Sequence, residues 1–150
     1  PPSGGRLEFF TLEGGVYCIS ATMLQQVVAG APGPWVPSYE AAYQLLRSEL
    51  GPLLDAGPAE RAQRIAREGK EYWGSRLIAF DALRLARLCA FLRQRRPDDW
   101  AGYSILIYRL SDEEVRQMVE GPAPPMADES ESPYFRDAAQ PHAPHDHAED

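Results

Sequence analysis

No histidine precedes His142, and the only three, His142, His145 and His147, crowd the last stretch of the chain. That argues against a hydrolase built on a Ser–His or Cys–His pair within the folded body. Cysteine is nearly as scarce. Cys18 and Cys89 cannot form a structural zinc site, which needs four ligands at short paired spacings, and they read as free buried thiols rather than as a disulfide. There is no Gly-rich phosphate loop, no Gly-x-Ser-x-Gly elbow, no His-Glu-x-x-His and no Cys-x-x-Cys. No run comes near the roughly 20 apolar residues that cross a bilayer, and no charged-then-apolar leader opens the chain. The start, Pro1-Pro2-Ser3-Gly4-Gly5, lacks methionine and suggests a piece of something longer. Lys70 is the only lysine, so the cations are almost all Arg.

What the chain does have is an uneven charge. Of the net −7, the stretch from Gly121 onward carries seven acids against Arg136 alone, or −6, which leaves the body near −1. A nearly neutral body with an acidic tail lacks the basic surface that nucleic-acid binding requires. The local groups Arg61, Arg64, Arg67 and Lys70, and Arg93, Arg95 and Arg96, read as solvated helix faces. A single domain over 1–120 and a disordered acidic tail over 121–150 follow from this partition.

The pattern of the body is mixed α/β, of the α+β kind: a small central sheet with strands near 15–21 and 102–110, packed by several helices. Arg6 to Leu12 alternates like a short edge strand. Gly15 to Ala21 is apolar on both faces, which predicts a strand covered on both sides. Ser20 or Thr22 can cap a short helix from Met23 to Val28. The prolines at 32, 34 and 37 then make a loop, in which Trp35 is either packed down or exposed as a stacking surface. Ser38 reads as the N-cap of a helix that Gly51-Pro52 ends or bends, and Pro58 opens another to about Glu68. Residues 71–75 interrupt the periodicity, and Ser75 reads as the cap of the longest helix, near 76–95. On that helix Ile78, Ala82, Leu85, Ala86, Cys89 and Leu92 form an apolar arc, opposite Arg84, Arg87 and Gln94. Phe80 and Phe91 fall toward the polar arc and Asp81 toward the apolar one. Ser111 with Glu114 forms a capping box that starts a last helix, stopped by Gly121-Pro122. Tyr134-Phe135 is the one adhesive spot in the tail.

Chemistry-bearing groups are few. The histidine cluster with Asp146 has the chemistry to capture zinc, nickel or copper, but it lies on the tail, and no metal or cofactor is expected. Asp81 needs a partner or a purpose, because a buried carboxylate costs several kcal/mol unless paired. Pairing with Arg76 or Arg84 is one account and a carboxylate facing a cleft is the other. Glu71, Asp98 and Asp99 are further acids, and no spacing selects a catalytic pair.

Two stretches carry a more specific signal: Ile19-Ser20-Ala21-Thr22-Met23-Leu24-Gln25, and Phe91-Leu92-Arg93 with Pro97 and Gly102-Tyr103-Ser104-Ile105-Leu106-Ile107-Tyr108. Together they resemble the soluble C-terminal region of bacterial membrane glycosyltransferases of the dolichyl-phosphate-mannose-protein mannosyltransferase type, polyprenyl-phosphate-sugar-dependent enzymes of the GT-C class. Gln26 stands where that pattern has Gly. The resemblance implies an extracytoplasmic accessory domain on the periplasmic side of a bacterial inner membrane. Such a domain is not catalytic alone, and its partners would be a membrane-embedded catalytic portion and a glycan or lipid-linked sugar. It also implies that Trp35, Tyr72 and Trp73 are sugar-stacking surfaces and that Arg76, Asp81 and Arg84 are polar contacts. Core packing with a structural ion pair is the competing account of the same six residues. The alternative function is a stand-alone protein-interaction module that uses the Arg/aromatic helix face and the acidic tail.

Overall fold

The computed structural model describes residues 11–25, 31 and 33–131. Within them the order is β1 (Gly15–Ser20), α1 (Ala21–Leu24), α2 (Pro37–Leu54), α3 (Pro58–Glu68), α4 (Lys70–Leu92), β2 (Asp99–Ala101), β3 (Ile105–Leu110), α5 (Asp112–Glu120) and a 3-10 turn, Glu129–Glu131. The fold is α+β. The sheet is antiparallel with order β1-β3-β2, and β1 and β3 pair in a register that sets Cys18 opposite Ile107 and Ser20 opposite Ile105. The strand Asp99–Ala101 was not expected; its three residues pair with β3 across the turn at 102–104.

The helix α4 is the axis of the packing. On one side Trp73, Leu77, Phe80, Leu83, Ala86 and Ala90 meet Trp35 and α2 residues Tyr43, Leu50 and Leu53. On the other, Leu88, Cys89 and Leu92 meet Ile19, Tyr108 and Leu110 of the sheet and Val115 and Val119 of α5. The spacings 73/77/80 and 85/88/89/92 are both helical, so one helix carries two apolar stripes and is buried between two cores. The expected arc was therefore misplaced: Ile78 is 74% exposed and Arg87 is completely buried. A helix packed on two sides has no single polar face from which periodicity can take its bearing.

Local chemistry sets the boundaries. Gly69, with φ at +98°, is the N-cap of α4, so the helix begins at Lys70 and runs through 71–75 unbroken. Glycine alone adopts that backbone cheaply. Ser75 is not a cap; its hydroxyl donates to the Tyr72 carbonyl. α2 continues through Pro52 to Leu54, and the partner that proline denies the Ser48 carbonyl can be water, since Ser48 is exposed. Ser20 accepts from the Met23 N–H and caps α1, which ends at Leu24; residues 26–30 of the expected helix lie outside the described residues. The Ser111–Glu114 capping box is present in both directions. Gly14 lies so close to α5 that a Cβ there would sit 2.5 Å from the Asp112 nitrogen.

Three further expectations change. The helices stack on one face of the sheet, and among the described residues no element covers the other. Val16 is accordingly 64% exposed and Cys18 is exposed, rather than buried on both sides. Cys89 is buried, and both thiols are free. Nor is the chain beyond Gly121 unstructured throughout, because residues 121–131 run as a strap across the helical side. Pro124 is fully buried there and the Ala127 N–H donates to the Trp35 carbonyl at 2.8 Å. Ser38 does not cap α2 itself: its N–H and hydroxyl both donate to the Glu129 carboxylate, so the strap supplies the cap. Most of Arg6–Leu12, Tyr134-Phe135 and the histidine cluster lie outside the described residues.

Candidate functional site

The most enclosed concavity is a cleft of about 650 Å³ between α2, α4 and the end of α5. Its α2 wall is Tyr43, Arg47, Gly51 and Asp55, a row at four-residue spacing, and its α4 wall is Leu77, Phe80, Asp81 and Arg84. Positions three and four apart share a helix face, so each wall is a single stripe. Tyr43 and Phe80 stack at 5.5 Å as an apolar floor, and the missing side chain at Gly51 widens the opening.

The charges around this floor balance. Arg47, Arg61 and Arg84 face Asp55, Asp81 and Glu120. Arg84 pairs with Asp81 at 3.1 Å, one helical turn away. Arg61 donates to the carbonyls of Leu53, Leu54 and Ala56, closing the C-terminal end of α2, where a cation complements the helix dipole. Arg47 donates to the Glu120 carbonyl at 3.1 Å. A cleft of zero formal charge with paired donors and acceptors suits a neutral hydroxyl-bearing ligand. It does not suit a polyphosphate, which would need surplus cations.

Beside the cleft lies the most connected polar group in the molecule. The buried Arg87 guanidinium makes five hydrogen bonds: two to the Glu40 carboxylate and three to the carbonyls of Met118, Val119 and Gly121. It thereby closes the end of α5 and ties α2, α4 and the strap together. The Tyr43 hydroxyl adds a bond to the Val119 carbonyl at 2.5 Å, and the Trp35 indole donates to Glu40 at 2.9 Å. Burial alone would raise the Glu40 carboxyl, but hydrogen bonds from Arg87, Gln44 and Trp35 outweigh it and hold the group below its usual range.

Of the six residues singled out from the sequence, Asp81 and Arg84 line the cleft as a pair, so the two accounts of Asp81 are both true of it. Tyr72 and Arg76 lie elsewhere on α4. The Arg76 guanidinium covers the Tyr72 ring at 3.9 Å and pairs with Glu49. Trp35 and Trp73 are core residues, 2% and 7% exposed, and present no stacking face. The Trp73 indole nitrogen has no partner among the described residues. Sequence reasoning missed Tyr43, Arg47 and Asp55, although their four-residue spacing was there to be read; only the packing shows that this row faces α4. No group of His, Cys, Asp or Glu suited to a metal ion occurs among the described residues.

The two stretches that carried the family signal come together. Ile19 and Ser20 pair with Leu106 and Ile105, and the Ala21 N–H donates to the Ser104 carbonyl at 2.7 Å. No helix of the described residues is long and apolar enough to cross a membrane. No protein-family model matches the chain, and neither curated proteins nor solved structures give a match.

Proposed function

We propose that this chain is an extracytoplasmic accessory domain of a polyprenyl-phosphate-sugar-dependent membrane glycosyltransferase, shaping the acceptor side and transferring no sugar alone. The observation that supports it is the pairing of the two resembling stretches. Residues 19–21 and 104–106, far apart in sequence, form one corner of one sheet. In this reading the Asp81–Arg84 pair and the Tyr43–Phe80 floor are where a neutral glycan makes contact, because a carboxylate and a guanidinium together can grip adjacent hydroxyls. The interaction-module alternative is less well supported. Arg76, Arg84 and Arg87, which were to supply its helix face, are all engaged with carboxylates of the same chain.

Two experiments test this. Reading the genomic frame upstream of Pro1 should reveal several apolar spans of about 20 residues each. A start codon directly before Pro1 with no such spans contradicts the accessory-domain reading. Independently, NMR titration with a neutral oligosaccharide should move the resonances of Tyr43, Arg47, Asp81 and Arg84. Shifts confined to other residues, or none, contradict the glycan contact while leaving the first reading to its own test.

A further inference from the structure

Eight large apolar side chains are exposed among the described residues, and three of them, Met23, Trp100 and Tyr103, belong to one end of the sheet. The hydrogen bond from Ala21 to Ser104 joins α1 to the turn between β2 and β3, so Met23 and Tyr103 flank the same junction. Trp100 stands opposite Leu106 on the short edge strand that leads into that turn. Tyr103 projects fully into solvent and Trp100 is half exposed, while the other five are dispersed over β1, the helices and the strap. A Trp and a Tyr beside a Met on a narrow projecting tip bury little against a flat protein surface. They match the amphipathic side chains that settle at the headgroup level of a bilayer.

The charges around this tip have the complementary sign. Arg93 donates to the Leu24 carbonyl at the end of α1, and Arg96 is exposed on the turn after α4. Neither guanidinium has a carboxylate within ion-pair distance among the described residues, whereas nearly every other arginine does or is bound to backbone carbonyls. The neighbouring Arg95 is already committed to Glu114 and Asp98. Asp98 also accepts from the Arg109 N–H, and the exposed Asp99 accepts from the Trp100 N–H at the end of β2 away from the turn. From Trp100 to Tyr108, and from Ser20 to Gln25, there is no acid. The tip is thus an aromatic projection with unneutralised guanidinium groups at its base, on a chain whose overall charge is negative.

We infer that this tip docks on an anionic lipid bilayer: Trp100, Tyr103 and Met23 enter the headgroup layer, and Arg93 and Arg96 face its phosphates. The inference does not depend on the glycosyltransferase reading, since it concerns what the tip binds and not what lies upstream of Pro1.

The test is co-sedimentation of the 150-residue chain with vesicles of phosphatidylcholine alone and of phosphatidylcholine with phosphatidylglycerol, with circular-dichroism melts as folding controls. The wild-type chain should pellet with the anionic vesicles and lose that binding at high salt. Trp100→Ala combined with Tyr103→Ser should weaken it by about tenfold or more, given the area each ring buries. Arg96→Gln should weaken it about fivefold, the effect of one cation near a charged membrane surface. Should the double variant fold poorly, Tyr103→Ser alone, at a fully exposed position, still decides the matter. No binding by the wild-type chain, equal binding to neutral vesicles, or binding that these substitutions leave intact would overturn the inference. So would tip-dependent self-association in sedimentation velocity, which would make the partner a protein.

Discussion

On its helical side α4 meets an aromatic core, Trp35, Tyr43 and Phe80, sealed by the Arg87–Glu40 pair and covered by the strap; on its sheet side it meets Ile19, Leu88, Leu92, Tyr108 and Val115 and little else. The helical side satisfies itself. Its guanidinium groups are engaged with carboxylates or carbonyls, its helix ends are closed by Arg61, Arg87 and Glu129, and its one sizeable cleft is balanced in charge. The sheet side leaves one face bare, an aromatic tip projecting, and Arg93 and Arg96 without a carboxylate among the described residues. Stability is thus concentrated where the polar groups are paired, and the surface open to a partner lies where they are not. The stretches that resemble the glycosyltransferase region fall on the open side.

The comparison is broken most severely at Glu40. Glu40→Gln leaves a fully buried guanidinium without its counter-charge, and should cost about 3–5 kcal/mol in urea unfolding. The same group sets a pH dependence. Its carboxyl is held below the unfolded range, so the stability it contributes is present above that range and is lost as pH falls through the folded value. Glu40→Gln should flatten that part of the acid limb.

Next come Leu50→Ala in the helical core and Leu88→Ala in the sheet core, both completely buried and each worth about 2–5 kcal/mol. Because α4 belongs to both cores, tryptophan fluorescence and far-ultraviolet circular dichroism should report one coincident transition in either variant. Two separated transitions would show that the halves are independent. A smaller effect is expected at the strap. Glu129→Ala removes the carboxylate that caps α2 through Ser38, costing about 0.5–2 kcal/mol. Smallest of all, Tyr103→Ser at the tip should shift stability by no more than about 0.5 kcal/mol.

The sheet was legible because its signals are local. The apolar runs at 15–20 and 105–110, the Ser20 cap and the Ser111–Glu114 box depend on neighbours within a few residues, and all are present. The helical side was legible only in part. The elements from Pro37 and Pro58 follow from their opening prolines, but the cap of Ser38 comes from Glu129, on a strap whose acidic, proline-containing composition reads as disorder. Arg87 looked like solvent-facing charge because its partners, Glu40 and the carbonyls at the end of α5, are brought to it only by packing. At the candidate site the same limit applied. Asp81 and Arg84 were visible as one turn of a helix, while Tyr43, Arg47 and Asp55 needed α2 laid against α4. Trp35 and Trp73 were misjudged because an indole suits a core as well as a sugar-binding surface.

The claim that the paired side holds the fold and the open side meets the partner is tested most directly by hydrogen–deuterium exchange with and without anionic vesicles. In their absence the amides of Leu88, Cys89 and Tyr108 should exchange only through global unfolding, and those of the turn at Gly102–Ser104 should exchange fast. On adding vesicles, protection should rise at 21–24 and 99–105 and stay unchanged along the cleft and the strap. Protection that rises in α2 or the strap instead, or nowhere, would contradict the account.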